Sequence, residues 1–194
     1  LRSSPPERGS DILRRASTNF EHAARVSPWL GYAWLRLGWV SWELGDHSRA
    51  LSATQEALRK DPNSRQAAIQ LAHMLAATQQ HGELKEVAVR FQQLEPRSSL
   101  GWFWEALAWQ EEGGLERAIE LYQRAVEHDP GNFTALFNLA GLLRQEGRLQ
   151  EAAQAYALTH DALVQLETVA AVLQALQHTR PSHDVATGIT ELAR

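Results

Sequence analysis

Four prolines fix the chain's organisation. Pro28, Pro62, Pro96 and Pro130 follow one another at intervals of 34 residues. Proline cannot continue a helix, because it lacks the N–H and its ring clashes with the preceding turn. Between these points the sequence is rich in Ala, Leu, Gln, Glu and Arg, all good helix formers. Valine and isoleucine are scarce and never alternate with polar residues over the length of a strand. The remaining prolines, Pro5, Pro6 and Pro181, fall near the two ends. The spacing predicts an all-α chain built from a 34-residue unit, and such periods are the mark of repeat architectures.

Counted from Gly31, so that Pro62 is the thirty-second place, the sequence falls into columns. Place eight holds Gly38, Ala72, Ala106 and Ala140, and place fifteen holds Gly45, Gln79, Gly113 and Gly147. Place twenty holds Ala50, Leu84, Ala118 and Ala152. Thr54, Ala88, Tyr122 and Tyr156 stand at place twenty-four, and Ala57, Phe91, Ala125 and Thr159 at twenty-seven. Places four, seven, eight and eleven share one stripe of a helix. A small residue at place eight lets a second helix approach closely. Glycine at fifteen takes the left-handed conformation that ends a helix. Each repeat therefore reads as an antiparallel helical hairpin.

The pattern W-x2-L-G-x2-Y, then A-x3-F, A and P is that of the tetratricopeptide repeat, which the sequence resembles, although Ser41 and Thr54 depart from its aromatic places in the first repeat. Trp34, Leu37, Gly38, Gly45, Ala50, Ala57 and Pro62 carry it in the first repeat. Trp102, Ala106, Trp109, Gly113, Ala118, Tyr122, Ala125 and Pro130 carry it in the third, with Glu105 where leucine is usual. The fourth matches at Leu139, Ala140, Gly147, Ala152 and Tyr156, with Val164 where proline belongs. In the second, small residues (Ala68, Ala88) occupy large places and large ones (Leu84, Phe91) small places. Either a compensating size swap or a shift of the turn toward Gly82 accounts for this, and Leu84 is expected to tolerate change. Ala16, Phe20, Ala23 and Pro28 continue the columns upstream.

The resulting expectation is an α-solenoid of stacked hairpins with the right-handed superhelix of that family. Residues 1–10 are expected as a linker or disordered start, and 11–27 as the second helix of a partial repeat. Repeats follow at 31–64, 65–98, 99–132 and 133–163. Residues 161–194 are expected as capping helices, with Leu163, Leu166, Val169, Ala170, Leu173 and Leu176 on one stripe. The Pro/Ser/Arg-rich start suggests a piece of a longer protein.

Composition removes several functions. There is no cysteine, which excludes disulfides, Cys-ligated zinc and thiol catalysis. The net charge is −4, against the basic surplus of a nucleic-acid binder. No apolar run is long enough to cross a membrane. Arginine outnumbers lysine 17 to 2, a bias of GC-rich bacterial genomes. The compartment is not fixed, although cytoplasm is favoured over periplasm. No nucleophile elbow, phosphate loop or HExxH is present. His47 and His81 stand at equivalent places and read as packing groups. His178, His183 and Asp184 lack a fourth ligand, so neither a metal nor another cofactor is expected. Glu111 and Glu112 read as a solvated helix end, and Asn132-Phe133-Thr134 as a chance glycosylation tripeptide. An enzyme is not expected.

What remains is a surface. In the family that the sequence resembles, the first helix of each hairpin lines a concave face that binds peptides. The expected groove comprises Tyr32, Leu35, Trp39, Trp42, Ile69, His73, Leu100, Phe103, Trp104, Leu107, Phe137 and Arg144. Apolar surface of this extent marks an interaction site, and tryptophan is enriched in binding hot spots. A carboxylate clamp is not expected, since Leu35, Trp39, Gln70, Leu100 and Trp104 stand where basic or polar side chains would be needed. The primary expectation is a non-catalytic scaffold for a protein or peptide partner. The alternatives are a regulatory or assembly arm of a larger enzyme or membrane-associated chain, a polysaccharide-binding scaffold of an export or assembly complex, and self-association through the groove.

Overall fold

The computed structural model describes residues 5–158. The helices in chain order are α1 (Pro5–Val26), α2 (Gly31–Glu43), α3 (His47–Lys60), α4 (Arg65–Ala77), α5 (His81–Leu94), α6 (Ser99–Glu111), α7 (Leu115–His128) and α8 (Phe133–Gln145). Residues 149–158 are helical as well, and no strand occurs among the described residues. The chain divides into two compact units between Pro130 and Gly131. In the first, α2 pairs with α3, α4 with α5 and α6 with α7. Successive pairs stack through α1 on α2, α3 on α4 and α5 on α6, and α4 also touches α6. The fold is an all-α helical-repeat solenoid. The expected capping helices and the histidines at 178 and 183 lie outside the described residues.

Each hairpin turn is built the same way. Gly45, Gly113 and Gly147 have φ of +80°, +85° and +75°, so each first helix ends on a left-handed residue. The following amide reaches back to the last turn: Asp46 N to Ser41 O (2.9 Å), Gly114 N to Trp109 O (2.8 Å), Arg148 N to Leu143 O (2.8 Å). This closes otherwise orphaned carbonyls. The second repeat performs the same turn without glycine: Gln79 takes φ +58°, and Gln80 N bonds Leu75 O at 2.9 Å. The turn therefore stays at place fifteen. It does not move to Gly82, which lies inside α5.

The size-swap reading accounts for the second repeat. Ala68, Leu84, Ala88 and Phe91 are all buried in one core cluster with Trp104. The aromatic has moved from place twenty-four to twenty-seven, and Phe91 packs edge-on against Trp104, centroids 5.2 Å apart. Leu84 is fully buried, which corrects the expectation that it tolerates change.

Thr54 occupies the aromatic place of the first repeat and is fully buried. Its hydroxyl donates to Ala50 O (2.8 Å) and accepts from Gln70 Nε2 (2.9 Å). Gln70 Nε2 also donates to Leu35 O at 3.1 Å, so this amide joins α4 to both helices of the preceding hairpin. Gly38 sits against this group: a Cβ there would collide with Thr54 Oγ1. Glu105, the departure from leucine in the third repeat, is buried and accepts from Gln92 Nε2 at 2.8 Å, with Arg117 at 3.8 Å.

One boundary differs from expectation. Helix α1 begins at Pro5, inside the stretch expected as a linker. Proline is accommodated in a first turn, where its missing N–H would have no partner and its fixed φ is already helical. Gly9 is the weak point of that turn, at a cost of roughly 1 kcal/mol relative to alanine.

Candidate interaction surface

The first helices α2, α4 and α6 present places two, five, nine and twelve of each repeat. Their side chains divide by depth. Tyr32 and Trp39 are 59% and 40% exposed. His73 is exposed, and Trp42, Ile69, Leu100, Phe103 and Leu107 are half-buried. Ile69, Leu100 and Phe103 pack against the core from its rim.

Two expected groove residues belong to the interior instead. Leu35 is 7% exposed and Trp104 only 1%. Trp104 stands at place six, which points toward the preceding hairpin and not out of the face. There Phe91 and the edge of His73 hold its ring, the latter at 5.7 Å. Trp42 is partly committed to the fold as well, its ring 4.3 Å from His47 across the hairpin turn. In the second compact unit Phe137 is 58% exposed and lies 6.0 Å from Tyr156, and Arg144 is exposed.

The most exposed aromatic region is at the start of α2. Trp29 is 74% exposed, Leu30 45%. With Tyr32 they line a cleft of about 410 Å³ whose far side carries Asp61, Ser64 and Gln66. Sequence reasoning overlooked Trp29 and Leu30 because they fall in a loop between repeats. The signal was present: Ser64, Ser98 and Asn132 at the position of Leu30 each cap the following helix through a side-chain oxygen, whereas Leu30 makes no such bond. An apolar pair replaces a capping residue there, at a cost in helix stability of about 1 kcal/mol.

Beside this cleft, the Arg36 guanidinium lies 5.0 Å from the Trp39 ring centroid and 6.0 Å from that of Phe20. Contacts of this kind contribute about 0.5–1 kcal/mol at exposed sites. Arg36 has no ion pair among the described residues. Tyr32 and Trp39 are thus exposed rings on one helix, with Arg36, at place six, turned toward Phe20 of α1 beside them.

A larger cleft of about 500 Å³ runs along α7 beside Trp102. Its charges are already matched with one another, Arg117 with Glu120 at 2.9 Å and Arg124 with Glu127 at 3.1 Å. No group of three or more metal-ligating side chains occurs among the described residues. None of their helices is long and apolar enough to cross a membrane.

Family models of the tetratricopeptide repeat match residues 31–64 and 105–162. The chain therefore carries tetratricopeptide repeats at these residues. Solved structures of MamA are similar in fold. One aligns with a TM-score of 0.74 at 15% identity, covering 87% of this chain and 99% of that one. Another, MamA 41-end from Desulfovibrio magneticus RS-1, aligns at 0.68 and 19% identity, over 80% and 96%. YrrB, described as a TPR protein with an unusual peptide-binding site, aligns at 0.66 and 18%, over 93% and 84%. Such identities establish a shared fold. No curated protein sequence matches the chain.

Proposed function

We propose that the protein is a non-catalytic scaffold that binds a polypeptide segment along the face of α2, α4 and α6. The observation that carries this reading is the exposure of Tyr32 and Trp39 on one rigid helix, next to exposed Trp29 and Leu30. The repeat fold needs no aromatic at either helical place: Gln66 and Leu100 stand at the place of Tyr32 in the next two repeats, and Leu107 at that of Trp39 in the third. Exposed tryptophan and tyrosine with a polar rim are the composition of binding hot spots. The tetratricopeptide repeats of the chain support a protein-interaction role. YrrB, named for its peptide-binding site, lends the same fold as precedent.

A display library of random peptides, panned in parallel on the parent chain and on Tyr32→Ala/Trp39→Ala, tests the reading. Sequences enriched on the parent and depleted on the variant support it. Enrichment that is the same on both baits contradicts it.

A further inference from the structure

The second repeat pairs the two ends of its hairpin through its own charges. Glu95, at place thirty-one, caps α5, and Arg65, at place one, opens α4; Arg65 Nε lies 3.7 Å from Glu95 Oε1. The first repeat keeps the carboxylate and lacks the cation. Asp61 caps α3 at place thirty-one, and place one is Gly31. The two positions are neighbours here as well: a Cβ on Gly31 would lie 3.5 Å from Asp61 Cβ. Among the described residues Asp61 has no ion pair. Lys60 beside it makes none, and Arg59 is bound to Glu56 at 2.6 Å. One Asp61 carboxylate oxygen accepts from Asn63 N at 3.2 Å, and the side chain is exposed.

The residues around place one change with the charge. Where Arg65 is present, the flanking places hold Asn63, Ser64 and Gln66, all polar. Where it is absent, they hold Trp29, Leu30 and Tyr32, which line the cleft of about 410 Å³ opposite Asp61. Aromatic rings beside a carboxylate that has no counter-ion suit one side chain above others. A guanidinium is planar, stacks on ring faces and pairs with a carboxylate at the same time. A lysine ammonium is a strongly hydrated point charge and stacks on nothing.

We propose that the peptide bound by this protein presents an arginine, whose side chain enters the cleft and takes the place of the arginine that the first repeat lacks. Its guanidinium pairs with Asp61, and its face lies against the Trp29 and Tyr32 rings. This inference rests on the peptide-binding reading above and names the side chain that the site selects, with Asp61 as the residue that selects it.

The test adds a third bait, Asp61→Asn, to the panning of the peptide library. Asparagine keeps an oxygen for Asn63 N and removes the charge, and at an exposed position the variant is expected to fold. Arginine is expected to be enriched at one position of the peptides selected by the parent and not of those selected by Asp61→Asn. In calorimetric titration of a selected peptide, Asp61→Asn is expected to weaken binding about fivefold or more, as is replacement of the arginine by citrulline, which keeps its shape without the charge. The two changes together are expected to cost no more than either alone, which a structural effect of Asp61 would not produce. Peptides that lose affinity with Tyr32→Ala/Trp39→Ala, yet carry no enriched arginine or bind Asp61→Asn as tightly as the parent, leave the peptide-binding reading standing and overturn this one. That is also the result of a cleft already filled by an arginine of the chain itself. A selection that enriches no peptide overturns both.

Discussion

Gln70 Nε2 lies 2.9 Å from Thr54 Oγ1, and this contact ties the first hairpin to the second through the place where the repeat pattern calls for an aromatic ring. A hydroxyl is too small to fill that place, and the amide from the next repeat completes it. Because Thr54 is fully buried, removing its hydroxyl takes one acceptor from the Gln70 amide in a place water does not reach, although the bond to Leu35 O remains. Thr54→Val keeps the volume but removes the acceptor, and should cost about 1–3 kcal/mol in denaturant unfolding. The double variant Thr54→Val/Gln70→Leu should recover part of that loss, which a double-mutant cycle measures.

Gly38→Ala places a methyl group against Thr54 Oγ1, with Ala50 O 3.1 Å away. Ordinary helix propensity favours alanine by about 1 kcal/mol. The collision reverses that sign, and a destabilisation of about 1–3 kcal/mol is expected by overpacking. Ala118→Leu should behave likewise, since Ala118 is fully buried in its hairpin. Melts in which either variant matches the parent would remove the close-approach account of these columns.

Leu84→Ala should cost about 2–5 kcal/mol, the range for a fully buried leucine. Gln79→Gly should act in the opposite direction. A non-glycine residue in the left-handed region carries roughly 1–2 kcal/mol of strain, part of which glycine returns as chain entropy. A higher melting temperature for Gln79→Gly is the expected result.

Glu21 couples α1 to α3. Its carboxylate accepts from Arg25 and from Arg49, each at 2.7 Å, and these bonds hold it below the usual carboxylate range. A lowered folded-state value means the contribution is complete above the unfolded glutamate value, about 4.3. It is lost as pH falls through the lower folded value. Amide exchange of α1 should therefore accelerate relative to α3 in that acid window. Glu21→Gln should remove the pH dependence while leaving α3 protected.

The period, the turns and the burial columns were legible because each rests on local chemistry: proline at helix ends, glycine at left-handed caps, alanine at close contacts. The depth of the surface residues was less so. Leu35 shares α2 with Tyr32 and Trp39, Trp104 shares α6 with half-buried Phe103 and Leu107, and a few tens of degrees of helix rotation separates rim from core. That rotation is set by packing partners on other helices, such as Phe91 against Trp104. Trp29 and Leu30 were missed for another reason: their exposure depends on where a loop emerges, which no periodicity encodes. The start of α1 was misjudged because two adjacent prolines read as a break, although in a first turn they are compatible with helix.

Affinity and stability measured on the same variant test the binding face most directly. For a peptide selected on the parent chain, Tyr32→Ala/Trp39→Ala should weaken binding about 30-fold or more, the loss of about 2 kcal/mol expected of hot-spot aromatics. Its unfolding free energy should stay within about 1 kcal/mol of the parent, because both side chains are largely outside the core. Trp42 is left intact in this variant, since its contact with His47 would confound the stability reading. Calorimetric titration showing undiminished affinity in a folded Tyr32→Ala/Trp39→Ala chain would contradict the account and place recognition on another surface.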